Sequence, residues 1–107
     1  MELRLDGSEP ESKMELDLAD HLFVNLVGNP TTGYQWQVAS WKPEVLDWTE
    51  GPTYLASDPG LVGSGGTFRF GFKPVKKGRA TIKLVYRRPW EEGIAPAKTA
   101  VLKVRVK

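Results

Sequence analysis

The chain has 107 residues, of which 40% are hydrophobic and 26% charged, so it suits a single globular domain over residues 1–107 rather than a disordered chain. Its 15 basic residues against 13 acidic ones give a formal net charge of +2, which predicts a surface of mixed sign and no nucleic-acid partner. The absence of cysteine excludes disulfides, thiolate metal sites and a cysteine nucleophile, so packing alone must hold the fold.

The N-terminal segment MELRLDGSEPES alternates charged residues with leucine and lacks the apolar stretch of a signal peptide. No later run approaches the length of a membrane-spanning segment. We therefore expect a soluble protein with no membrane partner, cytoplasmic as the sequence stands, or secreted or periplasmic if a signal peptide has been removed.

Short segments in which apolar and polar residues alternate recur along the chain, separated by Gly, Pro, Asn and Asp, as in half-buried β-strands. Strands are predicted at residues 22–27, 34–39, 67–73, 79–87 and 98–106, with weaker ones at 3–5, 15–18 and 53–56 and a short extra strand at 45–49. About seven or eight short strands and no helical stretch predict an all-β fold, an immunoglobulin-like β-sandwich without the disulfide. A small barrel is the alternative.

Three connections carry unusual residues, and they share one end of the sandwich if successive strands run antiparallel. In the Asn-Pro loop (residues 29–33), Pro30 fixes its own φ and Gly33 permits a left-handed exit. The glycine-rich loop (residues 60–66) lets another backbone approach closely, and the tryptophan loop (residues 87–96) carries Trp90 near its tip. Unusual loops gathered at one end of a sandwich predict a recognition surface.

The sequence shows no group of residues that would carry out catalysis or bind a cofactor. The glycine-rich loop lacks the Lys and the following helix of a phosphate-binding loop. His21, the one histidine, has no companion ligand or nucleophile nearby, and Trp36, Trp41 and Trp48 are interpreted as packing residues. We therefore predict no enzyme activity, no metal and no cofactor.

Taken together, Asn29-Pro30-Thr31-Thr32-Gly33-Tyr34, Gly63-Ser64-Gly65-Gly66 and Arg88-Pro89-Trp90-Glu91-Glu92-Gly93 resemble the chagasin family of cysteine protease inhibitors. The resemblance implies an immunoglobulin-like sandwich, monomeric, whose three loops fill the active-site cleft of papain-like proteases such as papain and cathepsin-type enzymes. The inhibition it implies is tight, reversible and non-covalent.

The same resemblance implies a role for each loop. Thr31 and Thr32 would lie over the catalytic Cys and His of the protease, while the segment 61–66 would run beside the non-primed groove with an apolar residue in a specificity pocket. Trp90 would stack on the primed side, with Arg88 supplying a polar contact. The predicted protease-binding residues are Asn29, Pro30, Thr31, Thr32, Gly33, Tyr34, Leu61, Val62, Gly63, Ser64, Gly65, Gly66, Arg88, Pro89, Trp90, Glu91 and Gly93.

Two other functions stay open at this point. The same loops, led by Trp90 and Tyr34, could recognise a carbohydrate or a cell-surface protein in a binding or adhesion module. A purely structural sandwich domain would instead tolerate any loop substitution.

Overall fold

The computed structural model describes residues 1–9, 11–56 and 65–107. These residues form eight strands and one short 3-10 helix, which spans Pro30–Thr32. The strands are β1 (Glu2–Leu5), β2 (Ser12–Leu16), β3 (Leu22–Gly28), β4 (Gln35–Ser40), β5 (Leu46–Ala56), β6 (Gly66–Pro74), β7 (Gly78–Arg87) and β8 (Lys98–Val106). In this described part, no helix has the length and apolar character needed to cross a membrane.

The strands form two four-stranded sheets, one in the order β1-β3-β6-β5 and the other in the order β2-β8-β7-β4. The pairs β1–β3 and β2–β8 are parallel, whereas every other pair in the described sheets is antiparallel. Two separate sheets define a sandwich, so the predicted all-β, immunoglobulin-like architecture is confirmed and the barrel alternative is wrong.

The core lies between the two sheets and is built from the alternating residues of each strand. On β7, Ala80, Ile82 and Leu84 are buried while Thr81 and Lys83 are exposed, as the period-two pattern predicts. The side chains with essentially no exposure include Trp36, Leu22, Val24, Leu26, Phe70, Phe72, Ile82, Leu84 and Leu102. One apolar cluster therefore joins both sheets and can hold the fold without disulfides.

Three predicted strands differ clearly from those in the structure. Two strands are expected, at 45–49 and at 53–56. Residues 46–49 and 53–56 instead belong to the single strand β5, whose register against β6 shifts between Trp48 and Glu50 and again between Glu50 and Thr53. These shifts hide the period-two pattern from sequence inspection. The strand predicted at 15–18 instead ends at Leu16, because Asp17 begins a turn in which the Asp20 amide donates to the Asp17 carbonyl at 3.0 Å.

The three tryptophans interpreted as packing residues, and His21, have the surroundings that the sequence predicts. Trp36 is fully buried and its Nε1 donates to the Val27 carbonyl at 3.0 Å. Trp41 meets Trp48 edge to face, with ring centroids 5.3 Å apart. His21 stacks on Phe23 at 4.4 Å, in keeping with a strand-edge residue.

Candidate functional site

The strand ends that flank the three loops lie at one end of the sandwich, here called the loop pole. In the first sheet, Gly66 at the start of β6 pairs with Gly28 at the end of β3 and with Ala56 at the end of β5. In the second sheet, Gln35 at the start of β4 pairs with Arg87 at the end of β7. The chain therefore enters and leaves each of the three predicted loops at the same end of the molecule.

The Asn-Pro loop forms a 3-10 turn whose polar groups are largely bonded within the loop. Asn29 precedes the turn, and its Oδ1 accepts hydrogen bonds from the Thr31 amide at 3.1 Å and the Thr31 hydroxyl at 2.7 Å. The Thr32 hydroxyl donates to the Asn29 carbonyl at 2.8 Å. Gly33 closes the turn at φ +84°, a left-handed conformation that favours glycine, and its amide donates to the Pro30 carbonyl at 2.9 Å. This network holds the loop in one shape.

The base of the Asn-Pro loop is fastened to the core by Tyr86 of β7. The Asn29 amide donates to the Tyr86 hydroxyl at 2.9 Å, and that hydroxyl donates to the Asn29 carbonyl at 3.4 Å. The Tyr86 ring packs between Tyr34 and Trp36, with centroids 5.2 and 5.1 Å away. Tyr86 thus links the rigid core to the first residue of the loop, a role that sequence reasoning missed because the strand pattern marks Tyr86 only as a core position.

The tryptophan loop also has internal bonds that set its shape. The Glu91 amide donates to the Arg88 carbonyl at 3.1 Å, which closes a turn around Pro89 and Trp90. Arg87 Nη2 donates to the Glu91 carbonyl at 2.6 Å. Gly93 has φ +74°, which favours glycine at that position.

The Asn-Pro loop and the tryptophan loop are joined to each other by Arg88 and Trp90. Arg88 Nε donates to the Thr32 carbonyl at 3.1 Å, and the guanidinium lies 4.6 Å above the centre of the Tyr34 ring. The Trp90 indole lies directly against Gly33, so closely that a Cβ on this glycine would overlap Cη2 of the ring. The two loops therefore form one continuous surface.

This arrangement changes the interpretation of Arg88. The resemblance implied a polar contact with the protease, whereas the structure gives its guanidinium partners within the chain, including Glu91 Oε2 at 3.9 Å. The side chain is 37% exposed, so one edge still faces solvent. In the free protein, Arg88 couples the two loops.

Only the last two residues of the predicted glycine-rich site are described. Gly65 has φ +80°, and a Cβ placed on it would lie 3.4 Å from the Gly28 carbonyl oxygen, beside the Asn-Pro loop. Gly66 is buried, and a Cβ there would overlap the Leu55 carbonyl oxygen. The predicted contacts Leu61, Val62, Gly63 and Ser64 lie outside the described residues.

The loop pole exposes the tips of its loops and shields their bases. Thr31, Thr32 and Pro89 are exposed, and Trp90 keeps 69% of its surface accessible although one edge touches Gly33. Ile94, which was absent from the predicted set, is 58% exposed in the same loop. The intermediate or buried members of the predicted set are Asn29, Pro30, Gly33, Tyr34, Gly65, Gly66, Arg88 and Glu91, whereas Gly93 is exposed.

No group of three or more His, Asp or Glu side chains is placed to hold a metal ion within residues 1–9, 11–56 and 65–107. This end of the molecule offers a stiff surface with an accessible aromatic ring and two exposed threonines, whose hydroxyls are bonded within the loop. Such a surface can bind another macromolecule through shape and apolar contact.

The fold and the loop pole define a small β-sandwich that recognises a partner through rigid loops at one end. Comparison with known proteins identifies its family: the family described as "Chagasin family peptidase inhibitor I42" matches residues 15–104, and the chain belongs to this family. Because the family consists of peptidase inhibitors, the prediction that the protein is not an enzyme is confirmed.

Relatives are found by sequence and by structure. The chain is 29% identical over 104 residues to Amoebiasin-2 of Entamoeba histolytica, covering 96% of this chain and 84% of that protein. It is 40% identical over 89 residues to Amoebiasin-1 of the same organism, covering 78% of each chain. The crystal structure of the cysteine protease inhibitor EhICP2 from Entamoeba histolytica superimposes with a TM-score of 0.80 at 27% identity, covering 99% of this chain and 95% of that one.

Proposed function

We propose that this protein is a reversible, tight-binding inhibitor of papain-like cysteine proteases that fills their active-site cleft with the loop pole. Family membership supports the inhibitory activity, and EhICP2, a structural relative, is described as a cysteine protease inhibitor. The loop pole supplies the surface, because an extended cleft requires a narrow, rigid and partly apolar wedge.

The Asn-Pro loop is proposed to lie over the catalytic Cys and His of the protease. Its exposed tip consists of Thr31 and Thr32, and its 3-10 turn is bonded from both sides, to Asn29 within the loop and to Arg88 from the neighbouring loop. A turn held in this way does not open into the extended chain that a protease cleaves. It can therefore occupy the catalytic centre without being processed.

Trp90 is proposed to be the main apolar anchor on the primed side of the cleft. A tryptophan that is 69% exposed in the free protein becomes favourable when a partner covers it, and buried interface tryptophans are frequent hot spots. Its position is set before binding by the contact with Gly33. Little ordering entropy is then lost on association.

The third element of the proposed wedge is the glycine-rich loop, with Leu61, Val62, Gly63, Ser64, Gly65 and Gly66 beside the non-primed groove. The described residues support only the position of this loop's C-terminal end, because Gly65 lies next to the Asn-Pro loop. Main-chain hydrogen bonds from this loop and an apolar residue in a specificity pocket remain predictions.

The observation that carries the proposal is the direct packing of Trp90 on Gly33. This contact joins two residues that are 57 positions apart in sequence, and it makes their two loops a single continuous wedge in a chain of an inhibitor family. Family membership decides between the two candidate functions, because the family that matches residues 15–104 consists of peptidase inhibitors. The inhibitor function is therefore preferred over the adhesion alternative.

The test is a titration of papain and of a cathepsin with the protein, followed with a fluorogenic substrate. We expect stoichiometric loss of activity when the enzyme concentration exceeds Ki, recovery of activity on dilution, and intact inhibitor on a denaturing gel afterwards. Trypsin serves as the control protease and should keep its activity. Full activity of several papain-like enzymes at excess protein would refute the proposal and promote the binding-module alternative.

A further inference from the structure

The outer face of the sheet β2-β8-β7-β4 carries a concentration of positive charge that plays no part in the proposed inhibition. On β2, on β8 and on β7 up to Leu84, the exposed residues alternate with buried or half-buried ones, so the exposed side chains point away from the core. The basic side chains of this outer surface, here called the cationic face, are Lys13, Arg79, Lys83, Lys103, Arg105 and Lys107.

The strand register arranges these cations in rows. Lys13 pairs with Lys103, which pairs with Thr81, so two lysines stand side by side on neighbouring strands. Two residues further along β8, Arg105 pairs with Arg79 of β7. Neighbouring strands lie about 4.8 Å apart and alternate residues about 7 Å apart along a strand, so the cations form a closely spaced grid.

Three carboxylates, Glu11, Glu15 and Asp17, offset part of this charge. Glu11 pairs with Lys103 at 3.3 Å, and Glu15 pairs with Arg105 at 3.7 Å and with Lys107 at 2.9 Å. Asp17 also lies close enough to Lys107 to act on its charge. Six cations against these three carboxylates leave +3 on the face, whereas the whole chain carries +2, so the remaining charged residues sum to −1. This excess of positive charge arises because the pleat points the charged residues that alternate with core residues to one side of the sheet.

A broad groove of about 580 Å³ runs across the cationic face. Its lining combines side chains from all three strands that carry the charge and includes Lys13, Glu15, Arg79, Thr81, Lys103 and Arg105. A groove lined by several cations attracts an elongated anion more strongly than a flat surface does.

We propose that the cationic face binds a sulfated polysaccharide. Arg forks and Lys ammonium groups recognise oxyanions such as sulfate by charge-assisted hydrogen bonds, and a grid of cations matches the repeated anions of such a polymer. Single-stranded nucleic acid fits less well, because the charged rows carry no aromatic side chain on which bases could stack. A lipid surface fits less well too, because none of the exposed large apolar residues of the described chain belongs to β2, β7 or β8.

The polysaccharide and the protease would occupy different parts of the molecule. Arg79 lies near the start of β7 and Arg87, at the loop pole, near its end, which corresponds to roughly 26 Å along an extended strand. The inhibitor could therefore remain attached to an anionic polymer while its loop pole stays free for a protease.

Heparin is the probe for the test, applied as an affinity column and in solution titrations at several salt concentrations. The test variant is Arg79→Glu with Lys103→Glu, and the matched control is Lys42→Glu with Lys73→Glu, which changes net charge equally at exposed positions away from the cationic face. We expect wild type and control to bind alike and the test variant to bind about tenfold or more weakly, with binding that weakens as salt rises. Circular dichroism of each variant checks that it is folded.

The outcomes separate this proposal from the proposed inhibition. Equal heparin affinity of wild type, control and test variant would overturn the proposal, as would equally tight binding of a single-stranded oligonucleotide or of anionic vesicles. Papain inhibition by the test variant should equal that of the wild type. If papain is not inhibited by any form, the proposed inhibition fails while the heparin comparison still decides the role of the cationic face.

Discussion

The Trp90 indole lies against the α-carbon of Gly33, with no room for a side chain between them. This contact connects the exposed ring of the tryptophan loop with the left-handed residue that closes the turn of the Asn-Pro loop. The conformation of Gly33 therefore controls two features at once, the shape of the turn and the position of the ring.

Replacing Gly33 with alanine should weaken protease inhibition by at least about tenfold, because the new Cβ displaces the Trp90 ring and strains the left-handed backbone, which costs about 1–2 kcal/mol. Gly78→Ala, at the start of β7 and away from the loop pole, is the matched control. Gly78 also has a positive φ, of +150°, but a Cβ there meets only Val45 Cγ2, at an ordinary contact distance of 3.5 Å. Ki for papain and the free energy of unfolding are measured for both; similar losses of inhibition would mean that strain alone matters and that the ring contact does not.

Trp90→Ala should raise Ki by about 30-fold, corresponding to roughly 2 kcal/mol of binding, because the ring is proposed to be the anchor of the interface. Thermal stability should change little, since 69% of the side chain is exposed in the free protein. Val75→Ala provides the control, as this residue is 55% exposed in the turn between β6 and β7, away from the loop pole. An unchanged Ki for Trp90→Ala would contradict the assigned role.

Tyr86→Phe should lower the free energy of unfolding by about 1–3 kcal/mol and also weaken inhibition, because the Asn29 amide loses its hydroxyl partner at the base of the turn. The aromatic packing against Tyr34 and Trp36 is retained in this variant, so the effect isolates the hydroxyl. Urea unfolding and Ki are the measurements. Stability and Ki both equal to those of the wild type would show that the hydroxyl does not hold the loop.

Arg88→Lys should weaken inhibition although it keeps the positive charge, because a lysine cannot both donate to the Thr32 carbonyl through Nε and lie flat over the Tyr34 ring. If Arg88 acts by coupling the loops, the free variant will already differ from the wild type in the NMR signals of Thr32 and in the indole signal of Trp90. A variant whose free spectrum is unchanged but whose Ki rises would instead identify Arg88 as a direct protease contact.

Most strands and the three loop motifs are recognisable in the amino-acid sequence. Alternation on β7 and β8 predicted both strands to within one residue, because each has one face on the core and one in water. The same reasoning predicted two strands where β5 is one, since two register shifts interrupt its alternation. Pro30 and Gly33 predicted a stiff turn because their backbone preferences are local properties of the residues themselves.

By itself the sequence determined the sandwich class, the family resemblance and the identity of the loops, because these depend on local pattern and on motifs within short segments. Tertiary structure alone decided that Tyr86 holds Asn29, that Arg88 reaches Thr32 and that Trp90 rests on Gly33. It also decided that the basic residues of β2, β7 and β8 share one face. The physical reason is that such contacts join residues distant in sequence, and only the pairing of strands brings them within bonding distance.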